Sequence, residues 1–258
     1  MNEIDSLSQH LVTILAKCVV PLYRNNERMR PIHIGTGLLV GRDENLFLVS
    51  AAHVLRECES SELFFYADTT TVMGVTGKIK ITPSSSVQGQ NTDRLDVGVV
   101  KLADLDPNRY PLVINTPLPA TGLLGTALPR DGKRYLLVGV PATKSRLNLP
   151  KRYVGIKYHA LLCPNSNYEK YNALGALPFD SILLDYNYKK CFDFNKISKN
   201  FPDINGMSGS PIFLFDDVNV SIDRMPVVGI LIEYHQNKCL LRATDIRFAI
   251  EIMNELTS

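Results

Sequence analysis

The chain lacks a long apolar run, a cluster of like charges and a paired-cysteine pattern. Each absence narrows what it does. No stretch approaches the ~20 apolar residues that a membrane-spanning helix needs, so no membrane association is expected. Lys and Arg total 28 against 26 Asp and Glu, a net charge of +2. The basic residues are scattered, so no nucleic-acid face is expected either. The cysteines are Cys18, Cys58, Cys163, Cys191 and Cys239. An odd number without close pairing is no disulfide framework. No CxxC or Cys/His spacing marks a zinc site, and no metal or organic cofactor is expected. All five read as small buried apolar residues, which fits a reducing compartment. The N-terminus carries Glu3 and Asp5 rather than a basic segment, and Lys17 interrupts its apolar stretch. No small-residue cleavage site follows, so a secretory signal is not expected and a cytoplasmic location is.

A chain of 258 residues with 45 % hydrophobic content can bury a large core, as one domain of two packed subdomains or as two small ones. Apolar positions at Ile4, Leu7, Leu11, Ile14, Leu15 and Cys18 recur at helical spacing. They predict an amphipathic N-terminal helix over residues 1–18, docked on the body of its own protein. Residues 18–23 and 32–40 read as strands. Short apolar runs then continue to Leu102, separated by Gly, Pro, Asn and Asp, the pattern of a β-barrel or sandwich. Residues 83–93 read as a polar loop, and the proline-rich 107–121 as the connection between two halves. The second half repeats the style at 135–140, 153–163, 181–186, 211–215, 227–233 and 239–242. A closing helix over 245–256 carries Ile246, Ala249, Ile250 and Met253 on one face. No internal sequence repeat is visible.

Asn205-Gly206-Met207-Ser208-Gly209-Ser210-Pro211 is the most informative stretch. A serine between glycines suits a sharp loop that exposes a nucleophile, because glycine adopts backbone angles other residues resist. The N–H groups of such a loop can converge on a developing oxyanion. Two upstream segments supply what a serine needs. The apolar run 46–52 reads as a buried strand delivering His53 into a short turn, and Asp96 heads the β-branched run 97–102. His53 and Asp96 are 43 residues apart, and Ser208 follows after 112 more. That is the His–Asp–Ser order of the chymotrypsin-type triad, not the subtilisin or α/β-hydrolase order. Asp93 competes with Asp96 but sits in the polar loop. Ser210 competes with Ser208, yet only Ser208 has glycines at −2 and +1. A serine hydroxyl is a weak nucleophile until a base takes its proton. His53 would be that base, Asp96 would orient it, and the N–H groups of Gly206 and Ser208 would form the oxyanion hole.

These motifs resemble those of the trypsin-like serine peptidases of the chymotrypsin superfamily, nearest in style to the bacterial branch that includes the glutamyl endopeptidases. The matching segments are Ala51-Ala52-His53, Asp96-Val97-Gly98-Val99-Val100-Lys101-Leu102 and Gly206-Met207-Ser208-Gly209-Ser210-Pro211. Val138-Gly139-Val140-Pro141 resembles the segment that opens the second barrel in that branch, and 227–232 the strand lining the primary specificity pocket. The likeness covers most of the chain from about residue 19. Two positions depart from it. Met207 stands where the family often has Asp or Asn. In animal enzymes that Asp pairs with a freshly cut N-terminus to order the oxyanion loop, so that activation route is closed here. Counting back from Ser208, Pro202 falls near the pocket floor where tryptic enzymes carry Asp. Asp203 is adjacent and Glu233 lies on the presumed pocket wall. An acidic pocket favours Lys or Arg at the cleaved position. His235, beyond the pocket strand, is the histidine placed to touch an acidic substrate side chain. His10, His33 and His159 have no comparable context and read as structural or exposed.

The resemblance implies an all-β protein of two packed six-stranded antiparallel barrels, with an N-terminal and a C-terminal helix. Residues 1–18 form the first helix, 19–115 the barrel with His53 and Asp96, and 116–258 the barrel with Ser208 plus the last helix. The expected activity is selective serine endopeptidase chemistry on protein or peptide substrates. Regulation by a partner protein follows from the harm an unrestrained cytoplasmic protease would do. The rival expectations are a latent or inactive protease-fold binding module and, more narrowly, an esterase.

Overall fold

The computed structural model of the protein describes residues 13–67, 71–83, 86–87, 90–91, 95–103, 116–125, 132–148, 153–186, 192–193, 203–215 and 225–258. The first twelve residues of the expected N-terminal helix, Asp93, residues 107–115, Cys191 and Pro202 lie outside them. Residues 13–15 are helical, and a 3₁₀ turn over Ala16–Cys18 leads into the first strand.

The first half contains β1 (Val19–Asn25), β2 (Pro31–Arg42), β3 (Asn45–Ser50), β4 (Leu63–Tyr66), β5 (Val72–Gly74) and β6 (Gly77–Ile81). A two-strand ribbon, β7 (Ser86–Val87) and β8 (Gln90–Asn91), precedes β9 (Gly98–Leu102) and β10 (Leu118–Pro119). The first sheet runs β5-β4-β1-β2-β3-β9-β6 with antiparallel neighbours, and β10 adds to β2 in parallel. The second half contains β11 (Arg134–Gly139), a ribbon of β12 (Ser145–Asn148) and β13 (Tyr153–Ile156), β14 (His159–Pro164), β15 (Ser181–Asp185), β16 (Phe192–Asp193), β17 (Pro211–Phe215), β18 (Val227–His235) and β19 (Leu240–Asp245). The second sheet runs β15-β19-β18-β17-β11-β14-β16, also antiparallel. Among the described residues the protein is thus mostly β, with two curled, essentially antiparallel sheets of eight and seven strands. Six-stranded barrels are expected from the resemblance; among the described residues the sheets are half-barrels, with no ladder closing either ring.

Near-continuous apolar runs become central strands because both of their faces are covered. Alternate side chains of a strand point to opposite faces, and β3 feeds two cores this way. Leu46 and Leu48 enter the interior of the first half-barrel, while Phe47 and Val49 enter a core shared with the second sheet. β11 mirrors it: Tyr135 and Leu137 face the second half-barrel's interior, Leu136 and Val138 the shared core. The two sheets are therefore joined by one continuous apolar layer.

Besides the helical residues 13–15 and short 3₁₀ turns, three helices lie among the described residues: α1 (Ala52–Leu55), α2 (Tyr168–Leu174) and α3 (Arg247–Thr257). α3 sends Ala249, Ile252 and Met253 into the shared core, with Ile246 preceding it there and Ile250 packed alongside. It reaches back to the first sheet, where Arg42 donates to Asn254 and Lys80 pairs with Glu255. α2 falls where the sequence reading placed no helix. Its cues are local: Asn167 caps it by accepting from Lys170 N–H (3.2 Å), and Gly175 ends it at φ 61°. The run read as one strand over 153–163 is two, because residues 157–158 separate β13 from β14. Cys18, Cys58, Cys163 and Cys239 are free thiols. No helix among the described residues is long and apolar enough to cross a membrane.

Candidate functional site

His53 is presented by a strand that ends in small residues. β3 stops at Ser50, Ala51 turns the chain, and α1 begins one residue later. Ala51, Ala52, Val54 and Leu55 are buried, so the one polar residue of the turn faces outward. Ala52 N–H donates to the Asp96 carbonyl at 3.2 Å. The Asp96 carboxylate then takes His53 on two sides. Its Oδ1 accepts from the His53 backbone N–H at 2.8 Å, and its Oδ2 is hydrogen-bonded to the imidazole Nδ1. Asp96 is held in turn by its neighbour Val97, whose N–H donates to Thr82 Oγ1 at 3.2 Å and whose carbonyl accepts from Thr82 N–H at 2.9 Å. The Asp96 side chain is 9 % exposed and that of His53 46 %. A carboxylate on Nδ1 fixes the proton there in the neutral ring and leaves Nε2 as the outward acceptor.

The serine loop occupies residues 204–210, ahead of β17. Gly206 and Gly209 have φ of +86° and +90°, a region open to glycine and costly for other residues. Gly209 donates to Leu231 O (2.7 Å), Leu231 to Ser210 O (2.8 Å), Met207 to Ile204 O (2.9 Å) and Ser210 to Met207 O (2.9 Å). Met207 is fully buried in the interior of the second half-barrel. It anchors the loop by apolar packing at the position where the resemblance leads one to expect Asp or Asn. The first sheet grips the same loop. Thr36 N–H donates to Ser208 O at 2.8 Å, and Thr36 Oγ1 to Gly206 O at 2.9 Å. Ser50 Oγ donates to Thr36 O at 2.6 Å, which links the histidine turn to the serine loop through one residue.

Gly35 marks where the two loops meet. A Cβ there would lie 2.6 Å from a Val54 methyl and 3.2 Å from Ser208 O, so the residue after His53 and the Ser208 backbone flank the same bare point. Among the described residues, no hydrogen bond joins the His53 ring to Ser208 Oγ, and the N–H groups of Gly206 and Ser208 have no acceptor. The Asn205–Gly206 peptide is nonetheless oriented, because Asn205 O accepts from Ala142 N–H at 2.8 Å. In a trans peptide the N–H then points the opposite way.

The three residues named for substrate recognition have local partners. Asp203 is exposed, and its carboxylate accepts from Asn205 N–H (3.2 Å) and Asn205 Nδ2 (2.7 Å). Glu233 and His235 lie on β18 beyond a register shift, with Glu233 Oε2 3.1 Å from His235 Nε2. Thr36, Ser50 and His33 are site residues that the sequence reading missed. Thr36 carried one signal, a hydroxyl between two glycines at the start of an apolar strand run. His33 carried none. It lies beside the serine loop, its Cε1 3.2 Å from where a Cβ on Gly206 would sit. Burial lowers its pKa to about 4 against the opposing effect of a hydrogen bond to Gly35 O.

Among the described residues no group of three His, Cys, Asp or Glu side chains could hold a metal ion. The two curled antiparallel half-barrels are consistent with a chymotrypsin-like double-barrel fold. Comparison with protein-family models and with curated proteins finds no match to this chain.

Proposed function

We propose that the protein is a serine hydrolase that cleaves peptide bonds through an acyl-enzyme. The observation that carries this reading is the double hold of Asp96 on His53, backbone and ring, beside a serine loop with two N–H groups that have no acceptor among the described residues. His53 Nε2 takes the Ser208 Oγ proton as Oγ bonds to the substrate carbonyl carbon. Asp96 stabilises the imidazolium that forms. The oxyanion accepts from Gly206 and Ser208 N–H, and losing one such donor typically costs about 3–4 kcal/mol of barrier. His53 returns the proton to the departing amine, and water releases the acyl group by the same steps in reverse. The substrate is a protein or peptide, and the motif style is nearest the bacterial glutamyl endopeptidase branch. Free thiols at four cysteines fit action in the cytoplasm. A preference for Lys or Arg at the cleaved position would rest on Asp203 and Glu233; their pairing with Asn205 and His235 leaves neither carboxylate uncommitted.

The second reading, a latent protease-fold binding module, is favoured by one observation: no hydrogen bond links the His53 ring to Ser208 Oγ among the described residues. Catalytic hydrogen bonds are often loose before substrate binds, so the hydrolase reading is preferred. Intact-mass labelling with a fluorophosphonate separates the two. One adduct on wild type, absent from Ser208→Ala and His53→Ala, is the expected result. Folded wild type that takes no label refutes the hydrolase and leaves the binding module.

A further inference from the structure

We propose that Thr36 is a positioning residue whose hydroxyl holds the Gly206–Ser208 loop in its oxyanion-binding shape, so that the loop is ordered without a cut N-terminus. This rests on the hydrolase reading above and extends it to how the site is kept assembled. Thr36 is fully buried, and every polar group it has is committed at the junction of the two sheets. Its N–H holds Ser208 O, its Oγ1 holds Gly206 O, and its carbonyl accepts from Ser50 Oγ. The two carbonyls it grips bracket Met207, and both belong to residues whose N–H groups would bind the oxyanion. Gly209 closes around the same residue, leaving no room for a side chain between itself and the Thr36 carbonyl.

The clamp addresses a specific gap. A loop containing two left-handed glycines has many alternative conformations to lose, and Met207 supplies no charge to fix it. Met207 burial fixes its depth and the Ala142–Asn205 bond fixes one peptide. Among the described residues, Thr36 alone is hydrogen-bonded both to the loop and, through Ser50, to the strand that leads into His53. The hydroxyl has a single proton, and it is spent on Gly206 O. An isosteric Thr36→Val keeps the shape, removes that donor and leaves a carbonyl unpaired at the loop.

The test compares wild type, Thr36→Val and Thr36→Ser in turnover of a peptide ester, in its pH profile, and in amide hydrogen exchange at Met207 and Gly209. Thr36→Val is expected to lower kcat about tenfold, the factor one neutral hydrogen bond carries, with KM and the acid limb of the pH profile unmoved. Exchange at Met207 and Gly209 should quicken about tenfold by the same measure. Thr36→Ser, which keeps the hydroxyl, should recover both. Equal turnover and equal exchange in Thr36→Val would overturn the proposal, as would a loss that Thr36→Ser leaves unrepaired. If wild type takes no fluorophosphonate the hydrolase reading falls by itself, and the exchange measurements still decide whether Thr36 orders the loop.

Discussion

His33 should make the protein lose stability on mild acidification, by an amount that one variant isolates. Its Nε2 lies 2.7 Å from Gly35 O and therefore carries the proton. Its Nδ1 is buried and has no hydrogen-bond partner among the described residues, so a second proton would sit on a donor with no acceptor there. Burial accordingly holds the pKa at about 4, against an ordinary 6.5. Above pH 6.5 the ring is neutral in both folded and unfolded chains, and its contribution is fully present. As pH falls from 6.5 toward 4, the unfolded chain binds a proton that the folded one refuses. Stability then declines by up to about 1.4 kcal/mol per pH unit, or at most about 3 kcal/mol in all. Urea unfolding of wild type and His33→Phe, between pH 7.5 and 4.5, is the assay. The phenyl ring keeps the packing against Tyr23, whose ring centre is 5.4 Å away, but cannot titrate. Wild type should lose about 2.5 kcal/mol relative to the variant across that range. Parallel stability curves would refute the account, because they would mean that the ring titrates alike in both states.

Two further predictions concern the machinery itself. Gly209→Ala combines a φ of +90° with a Cβ driven into the Thr36 carbonyl and the Ser50 hydroxyl. It should cost about 3 kcal/mol or more, seen as a melting midpoint lower by roughly 10 °C; an unchanged midpoint would show that the loop is held less tightly than its contacts imply. Asp96→Asn should fold normally yet lower kcat by about 10⁴-fold, since an amide permits the wrong imidazole tautomer. Activity within tenfold of wild type would remove Asp96 from the proposed site.

The two β halves, the central strands and the closing helix were legible in the sequence because each rests on local periodicity. Apolar runs such as 46–50 and 135–140 have nowhere to go but between covered faces. Ala249 and Met253 sit one turn apart and must share a helix face. The candidate triad was legible for another reason: its residue types are rare in apolar surroundings, so His53 after a buried run and Asp96 before one stand out. Sequence could not show that Asp96 grips both the ring and the backbone N–H of His53. Nor could it show that Thr36, 172 positions before Ser208 in the chain, clamps the serine loop, or that burial keeps His33 neutral. Met207 read as a missing carboxylate; the fold makes it an apolar anchor in the second half-barrel. Periodicity is a property of neighbours along the chain and survives without a fold. Hydrogen bonds between distant loops, and the desolvation that shifts a pKa, exist only once packing brings the partners together and removes water, so the tertiary structure alone decided them.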